Sequence, residues 1–423
     1  MNDTLILVLE QLAAAVSLLL MGLCGVRLLV RLVRVLRGRE AADGLGRRIT
    51  YAPLSALAAA AGIALLSRLM LYVLAYAMYR AFGVGSEGFA QSFAPLWMHW
   101  DTQHYIGIAR DGYVAVGDER LRLVFFPLYP ALMRLFAPLT DGNVFYSGIG
   151  VSLVCASLSA ALVYDLAYMH GGGKTAARAA AYFLLCPLSV FLCCAYTESL
   201  FICLTLLAVC LLRRGRPWLA ALCGMLSALT RMPGVIVAGL MIIALLGRIP
   251  KRTFTLRAVL SCLGQVLLVF SGLFIYWLIN WLVTGDPMTY LVYQKENWYQ
   301  EPGSFWGSTA NTMHYFLDTI GDSDWLYTWG FQLLCMLGIY ALLAFRAQAL
   351  PFDLAAYSFV YVAVVLSPTW LLSGARYLYA LCALPMLLAR MRIGKIGHGI
   401  LLILSAAMLV LWTFGYTIAV QVL

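Results

Sequence analysis

The residues that could do chemistry are concentrated between Trp97 and Pro130, in a chain that is otherwise mostly apolar. Ionisable and aromatic side chains lie close together here: Trp100, Asp101, His104, Tyr105, Arg110, Asp111, Tyr113 and Tyr129. Such a segment cannot lie in hydrocarbon, because unpaired polar groups are costly there. We therefore interpret it as a polar loop between membrane helices. In it Asp101 is our candidate catalytic carboxylate. The alternative is an ordinary solvated acid in a loop whose aromatic residues form an interfacial belt.

Two local patterns describe how this loop is built. Asp101 directly follows Trp100 and begins a predicted amphipathic helix, in which Tyr105 lies on one stripe and His104 on another. Further along, Pro127 and Pro130 are three residues apart, a spacing that suits neither a strand nor a helix interior. We expect these prolines to form a rigid turn that holds the loop at the membrane surface.

Isolated charges lie at the ends of three other apolar segments, at Glu198, Arg231 and Arg376. Charged residues in such positions are usually paired and face a bundle interior or a wet cavity, so each is a candidate functional residue. The alternative for each arginine is a side chain that extends to the level of the lipid headgroups. Arg68 lies inside a predicted span, and we expect it to pair internally or to extend in the same way.

Composition indicates which elements must position these residues. The chain is 63% hydrophobic and 11% charged with a mean hydropathy of +0.87, far from the usage of soluble domains. We predict an all-α polytopic membrane protein, a single transmembrane domain over residues 1–423, with about 12 spans. The predicted spans are Thr4–Val30, Leu54–Ala81, Val144–Tyr168, Ala176–Ala195, Leu200–Leu212, Trp218–Leu229, Gly234–Leu246, Ala258–Val283, Leu326–Phe345, Leu354–Trp370, Leu378–Ala389 and Gly399–Val422.

The distribution of basic residues predicts the topology. Alternating the spans puts 20 of the 29 lysines and arginines on one face, which the positive-inside rule makes cytoplasmic. The net charge of +10 is therefore a topology signal, and we predict no nucleic-acid partner. The candidate residues all fall on the opposite face, in external loops at 82–143, the catalytic loop, and 284–325, and at helix ends.

The second external loop, 284–325, contains Lys295 and several tryptophans and tyrosines. It is predicted either to cover a substrate or to form a membrane-surface belt. Asp322 and Asp324 have the Asp-x-Asp form that holds a metal with a nucleotide-sugar, but nucleotide-sugars are not normally supplied outside. All eleven cysteines lie in apolar runs without a CxxC pair. We therefore predict no metal and no cofactor.

At these residues the chain resembles the GPI mannosyltransferase 2 (PIG-V) family, which are membrane glycosyltransferases of the GT-C fold. The resemblance lies in His99-Trp100-Asp101 with His104-Tyr105, in Ala109 to Tyr113, and in Phe125 to Pro130. Weaker matches are Tyr196 to Phe201, Thr230-Arg231 and Arg376-Tyr377. Thr102 stands where the familiar form often has glycine.

The resemblance implies transfer of a sugar, mannose in the eukaryotic family, from a polyprenyl or dolichyl phosphate on the non-cytoplasmic side. It also implies that Asp101 is the base, because such enzymes have an acid in the first large external loop. We expect Arg376, or alternatively Arg231 or Lys295, to hold the departing phosphate. His104 and Arg110 are expected to orient Asp101 or to contact the acceptor. The substrate-binding set that we predict is Trp100, His104, Tyr105, Arg110, Asp111, Tyr113, Tyr129, Glu198, Arg231, Lys295, Arg376 and Tyr377.

The predicted partners are the polyprenyl-phosphate sugar donor, a lipid or glycan acceptor, and membrane lipids. The predicted location is a bacterial plasma membrane with the active site outside, the alternative being the endoplasmic reticulum with a lumenal site. Two other functions remain open. A lipid or solute transporter or flippase would also have many spans, and a non-catalytic scaffold of the cell envelope would need no reactive loop.

Overall fold

The computed structural model describes residues 3–44, 49–322 and 325–420, and in these ranges the regular structure is helical, without strands. Its α-helices are α1 Asp3–Leu36, α2 Leu54–Ala81, α3 Phe89–Trp97, α4 Asp101–Asp111, α5 Leu128–Phe136, α6 Val144–Leu185, α7 Glu198–Arg213, α8 Pro217–Ala228, α9 Val237–Leu246, α10 Leu256–Thr284, α11 Thr289–Trp298, α12 Phe305–Asp318, α13 Phe331–Arg346, α14 Phe352–Val365, α15 Gly374–Tyr379, α16 Leu384–Ala389 and α17 Gly394–Thr417. Short 3-10 helices lie at Asp118–Val124, Ala137–Thr140, Pro187–Cys193, Met232–Ile236 and Ala347–Ala349, and a π-helical segment at Trp325–Gly330.

Six helical segments of the described chain are long and apolar enough to cross a membrane, or up to eight if two bent pairs each count as a span. The all-α polytopic class is therefore confirmed, and the protein is an integral membrane protein. The count of about 12 spans is not confirmed. Helices α7, α8, α9, α14 and α16 have only 16, 12, 10, 14 and 6 residues. At about 1.5 Å per residue they are shorter than the hydrocarbon core of about 30 Å.

Helix α6 includes the turn expected between the spans that end at Tyr168 and begin at Ala176. The helix is interrupted at Gly172, whose φ of 69° and ψ of −176° are non-helical. This φ lies in the region where glycine, having no Cβ, is favoured. Two helical stretches therefore meet at a break where the sequence supplies three glycines in succession.

The loop at 82–143 is mostly helical and contains the predicted amphipathic helix. Helix α4 begins at Asp101, and its buried residues include Tyr105, Ile108 and Ala109, while Arg110 and Asp111 are exposed. The chain also bends where the proline turn is expected, because the 3-10 helix Asp118–Val124 and the helical stretch Leu128–Thr140 meet at 107°. Pro127 lies at this bend, but Pro130 lies in the first turn of α5. The amphipathic helix is therefore confirmed, and the turn is confirmed at Pro127 but not at Pro130. In the loop at 284–325, Ser323 and Asp324 of the Asp-x-Asp triplet lie outside the described residues.

The bundle has chemically different ends. Helix α7 begins with Glu198 and ends with Arg213, which are about 22 Å apart at the helical rise. Arg213 pairs with Asp353 through two hydrogen bonds of 2.5 and 2.9 Å, and Arg214 pairs with Asp165. Nearby, Arg31 pairs with Glu40, and Arg346 and Arg390 donate to backbone carbonyls. We call the end that is defined by Arg31, Arg213, Arg214, Arg346 and Arg390 the arginine-rich end.

Candidate active site

Asp101 is presented by a sharp backbone turn at the start of α4. The preceding residue, Trp100, has a φ of 43° and ψ of −115°, a left-handed φ that costs a bulky residue about 1–3 kcal/mol. Packing holds it there, because the Trp100 ring contacts the ring of Tyr416 in α17 at 5.1 Å. The side chain of Asp101 remains 25% exposed. The carboxylate is thus fixed in position and still accessible from outside the protein.

Arg376 joins two carboxylates that are far apart in sequence. Its Nη2 donates to Oδ2 of Asp101 at 2.6 Å, and its Nε donates to Oε1 of Glu198. The Arg376 side chain is only 6% exposed and that of Glu198 is fully buried. Helices α4, α7 and α15 therefore meet at a single guanidinium.

Arg231 is the second cation on Glu198. Its Nη1 donates to the same Oε1 atom at 2.7 Å, while Oε2 of Glu198 is buried and has no hydrogen-bond partner in the described chain. The four side chains Asp101, Glu198, Arg231 and Arg376 carry two negative and two positive charges. We call them the charge network. Burial of charge is costly unless partners compensate it, so the network requires all of these groups together.

Aromatic rings surround the two guanidinium groups. Cζ of Arg376 lies 4.8 Å from the ring centroid of Tyr196 and 5.2 Å from that of Phe191, and Cζ of Arg231 lies 4.7 Å from that of Tyr377. Such cation–π contacts favour the charged form and fix its position. The Tyr196 hydroxyl also donates to the carbonyl of His99 at 3.1 Å, which connects the segment before α7 to the turn before Asp101.

A wall of half-buried rings lies beside Asp101 on α4. His104 stacks on Phe125 with ring centroids 4.7 Å apart, and Trp298 at the end of α11 contacts both rings. Burial lowers the pKa of His104, and the negative charge of Asp101 partly opposes that shift. The two segments predicted as external loops therefore meet at this wall.

Three predicted tyrosines hold the loop through buried contacts. The Tyr113 hydroxyl donates to the carbonyl of Phe125 at 2.6 Å, and that of Tyr129 donates to the carbonyl of Gly148 at 2.9 Å. Tyr105 packs between Phe125 and Tyr129, with ring centroids 5.2 and 5.4 Å away. Burial raises the pKa of both Tyr105 and Tyr113. These three tyrosines therefore hold the loop around Asp101 in place.

Three other predicted residues lie apart from the charge network. Arg110 and Asp111 are exposed at the far end of α4, about 13 Å along the helix from Asp101. Asp111 pairs with Arg122 at 3.4 Å. Lys295 is exposed and pairs with Glu301 at 2.7 Å, and this pairing raises its pKa. No contact with Asp101 is present for any of the three in the described chain.

Several residues of the site are not among the candidates predicted from the sequence. Tyr196 and Phe191 face Arg376, Trp298 completes the ring wall, and Tyr416 packs on Trp100. Tyr196 had a local signal, since it lies two residues before Glu198 at the same helix end. Tyr416 had none, because it is one aromatic residue in a long apolar helix. In the described part of the chain, no group of three or more histidine, cysteine, aspartate or glutamate residues could hold a metal.

The comparisons with known proteins agree on one family. The family model described as Mannosyltransferase (PIG-V) matches residues 65–293, just over half of the chain. The matched region includes Asp101, Glu198 and Arg231 and ends before Arg376.

Curated relatives match over parts of their length. The chain is 32% identical over 153 residues to GPI alpha-1,6-mannosyltransferase 2 of Cricetulus griseus, which covers 34% of this chain and 30% of the relative. It is 27% identical over 217 residues to the Homo sapiens protein of that name, covering 49% of this chain and 41% of the relative. The chain thus aligns with less than half of the length of these relatives. No solved structure matches it significantly.

Proposed function

Because the chain belongs to the mannosyltransferase (PIG-V) family, we propose that it is an inverting glycosyltransferase with Asp101 as general base. The donor of the sugar is a polyprenyl or dolichyl phosphate that carries a hexose. The names of the relatives indicate that this hexose is mannose. The sugar goes to a lipid-linked or envelope glycan acceptor. The observation that carries the proposal is the charge network, which holds one partly exposed carboxylate against a buried arginine.

One carboxylate is enough for this reaction. A glycosidase needs a second carboxyl group to protonate a poor leaving group, whereas a lipid phosphate leaves as a stable anion. An acceptor hydroxyl attacks the anomeric carbon, the bond from that carbon to the phosphate oxygen breaks, and Asp101 takes the hydroxyl proton. The products are the glycosylated acceptor and the lipid phosphate.

The charge changes in this step match the arrangement around Arg376. The donor phosphodiester carries one negative charge and the released phosphate monoester carries two, while Asp101 becomes neutral as it takes the proton. The hydrogen bond from Arg376 to Asp101 then loses its ionic character, and the guanidinium is released toward the phosphate. Arg231 can also donate hydrogen bonds to the phosphate, because only its Nη1 donates a hydrogen bond within the described residues.

The remaining predicted residues take supporting roles in this proposal. His104, whose pKa is lowered by burial, is neutral near pH 7 and binds a hydroxyl rather than a phosphate. Trp298 and Phe125 offer ring faces to the sugar, and Tyr377 positions Arg231. The polyprenyl tail lies against the apolar outer surface of the bundle. The chemistry assigns no step to a metal or cofactor.

The location of the charges supports a non-cytoplasmic site. Glu198 and Arg213 are at opposite ends of α7, so the charge network lies at the end opposite to the arginine-rich end. The positive-inside rule makes the arginine-rich end cytoplasmic. We propose that the site faces the outside of a bacterial plasma membrane, the alternative being the lumen of the endoplasmic reticulum.

The test is Asp101→Asn in purified protein, incubated with labelled polyprenyl-phosphate mannose and a lipid extract as the source of acceptor. We expect the transfer rate to fall by about 100-fold or more, as for loss of a general base. The matched control is Asp118→Asn, the same change in an exposed acid at the start of the 3-10 helix Asp118–Val124, for which we expect a rate within about twofold of wild type. Equal rates in the two variants would remove Asp101 from the mechanism.

A further inference from the structure

A cavity of about 590 Å³ lies at the arginine-rich end, at the opposite end of α7 from Asp101. Its walls come from four parts of the chain: the turn after α1, the α7–α8 junction, α9 with the first half of α10, and Asp353 at the start of α14. Part of its wall is apolar, with Leu212, Met241, Leu245 and Ala258 among the lining residues. The cavity is thus separate from the charge network.

Three basic side chains of the lining, Arg39, Arg248 and Lys251, are exposed and make no ion pair in the part of the chain that the structure describes. The remaining basic residue, Arg213, is neutralised by Asp353, and the lining acid Glu40 is bound to Arg31. Asp43 is the third lining acid. Among the described residues, the lining thus has four basic and three acidic side chains, and Arg31, which is bound to Glu40, adds a fifth positive charge, so the net formal charge is +2.

Close backbone contact brings these cations together from distant parts of the chain. Gly38, with a φ of +70°, lies so near Pro250 that a Cβ at position 38 would be 2.9 Å from the Pro250 Cβ. Arg39 and Lys251 are the neighbours of these two residues in the chain. A Cβ at Gly247 would be 3.2 Å from the Cβ of Ala42, which brings Arg248 to the same mouth. Like charges around one cavity repel one another, and a bound anion would compensate them.

We propose that this cavity binds the phosphate-bearing headgroup of an anionic membrane lipid from the leaflet at the arginine-rich end. Arg39, Arg248 and Lys251 contact the phosphate, and the apolar wall packs against the glycerol and the first acyl carbons. Guanidinium groups form strong charge-assisted bonds with phosphate oxygens, and basic pockets between helices on the cytoplasmic side are suited to anionic headgroups. A free phosphate would leave the apolar wall uncovered. The inference does not depend on the proposed catalytic function.

The test is binding of dihexanoyl phosphatidic acid to the purified full-length protein by isothermal titration calorimetry. In the variant Arg39→Gln/Arg248→Gln/Lys251→Gln we expect the affinity to fall by about tenfold or more. The matched control is Arg257→Gln/Arg392→Gln/Lys395→Gln. It removes the same charges from exposed residues at the same end, outside the cavity lining. We expect its affinity to change by less than about twofold.

Dihexanoyl phosphatidylcholine and inorganic phosphate are the ligand controls, and both are expected to bind much more weakly than phosphatidic acid. Equal weakening in the two triple variants, or no binding by the wild type, would overturn the site. Phosphate that binds as tightly as phosphatidic acid would show that the lipid is not the occupant. Melting temperatures identify any misfolded variant, and the three cavity substitutions are then measured singly, where at least one must weaken binding more than Arg257→Gln does.

Discussion

Arg376 is shared by two carboxylates that differ in exposure. Asp101 is 25% exposed, whereas Glu198 is fully buried beneath both arginines. A substrate hydroxyl can approach only the exposed carboxylate, so only Asp101 is suited to accept a proton. Glu198 positions the two guanidinium groups and supplies the negative charge that makes their burial possible.

Loss of charge at Glu198 is therefore expected to affect stability more than loss of charge at Asp101. Glu198→Gln leaves Arg231 and Arg376 with one carboxylate between them, and breaking a buried pair costs about 3–5 kcal/mol. Asp101→Asn leaves Arg376 paired with Glu198 and should lower the melting temperature less. Thermal unfolding of both variants in the same detergent checks this order. A Glu198→Gln protein as stable as wild type would contradict the role of Glu198.

At the scale of elements, the segment that carries Tyr196 and Glu198 is held by α2. Arg68 of α2 is 1% exposed and donates to the carbonyls of Leu184 and Ser189, each at 2.7 Å. Of the two expectations for Arg68, internal bonding is therefore confirmed. The first carbonyl belongs to the last turn of α6, where a cation is favourable. The second belongs to the 3-10 helix Pro187–Cys193, which leads directly to the charge network.

Arg68→Met should remove these bonds while keeping an unbranched apolar side chain of similar length. The Leu184 carbonyl keeps a hydrogen bond from the Ser189 hydroxyl, so the loss is that of the two bonds from a charged donor, each of which contributes about 1.5–3 kcal/mol. We therefore expect a clear fall in melting temperature and slower transfer in the proposed reaction. Arg80→Met is the control in the same helix, because Arg80 is exposed and bonds only to exposed carbonyls. If the two variants had the same melting temperature, the bonds of Arg68 would not support the site.

At the scale of the whole molecule, the proposed function requires the two ends of the bundle to face different compartments. The charge network lies at one end, and the arginine-rich end with its cavity lies at the other. Sugar transfer and the proposed lipid binding would then use different leaflets. A single orientation in the membrane is required for both.

Orientation can be measured with a single added cysteine in intact cells. Val116→Cys, in the exposed stretch between α4 and the 3-10 helix Asp118–Val124, should react with a membrane-impermeant maleimide from outside. Lys395→Cys, which is exposed near the arginine-rich end, should react only after the cells are opened. The parent protein controls for the eleven native cysteines, which are buried or only partly exposed. Labelling in the reverse order would overturn the proposed orientation.

The sequence by itself determined the properties that depend on local pattern. Apolar composition establishes the membrane class, the periodicity of polar and apolar residues predicts a helix from Asp101, and two prolines predict a turn, which lies at Pro127 while Pro130 belongs to α5. These features depend on interactions between residues near one another in the chain, so periodicity and residue type suffice. It also identified Glu198, Arg231 and Arg376 as charges that need partners, because isolated charges in apolar helices are costly.

Only the tertiary structure decided which charges meet. Arg376 pairs with acids 275 and 178 residues away, while Asp111 and Lys295 pair with nearby residues of opposite charge and lie apart from the network. The number of membrane-crossing helices could likewise not be predicted from the sequence, because a short apolar helix buried in the bundle has the same composition as part of a span. The physical reason is common to both. Composition shows that a group must be buried or paired, but the packing of distant helices determines which partner it meets.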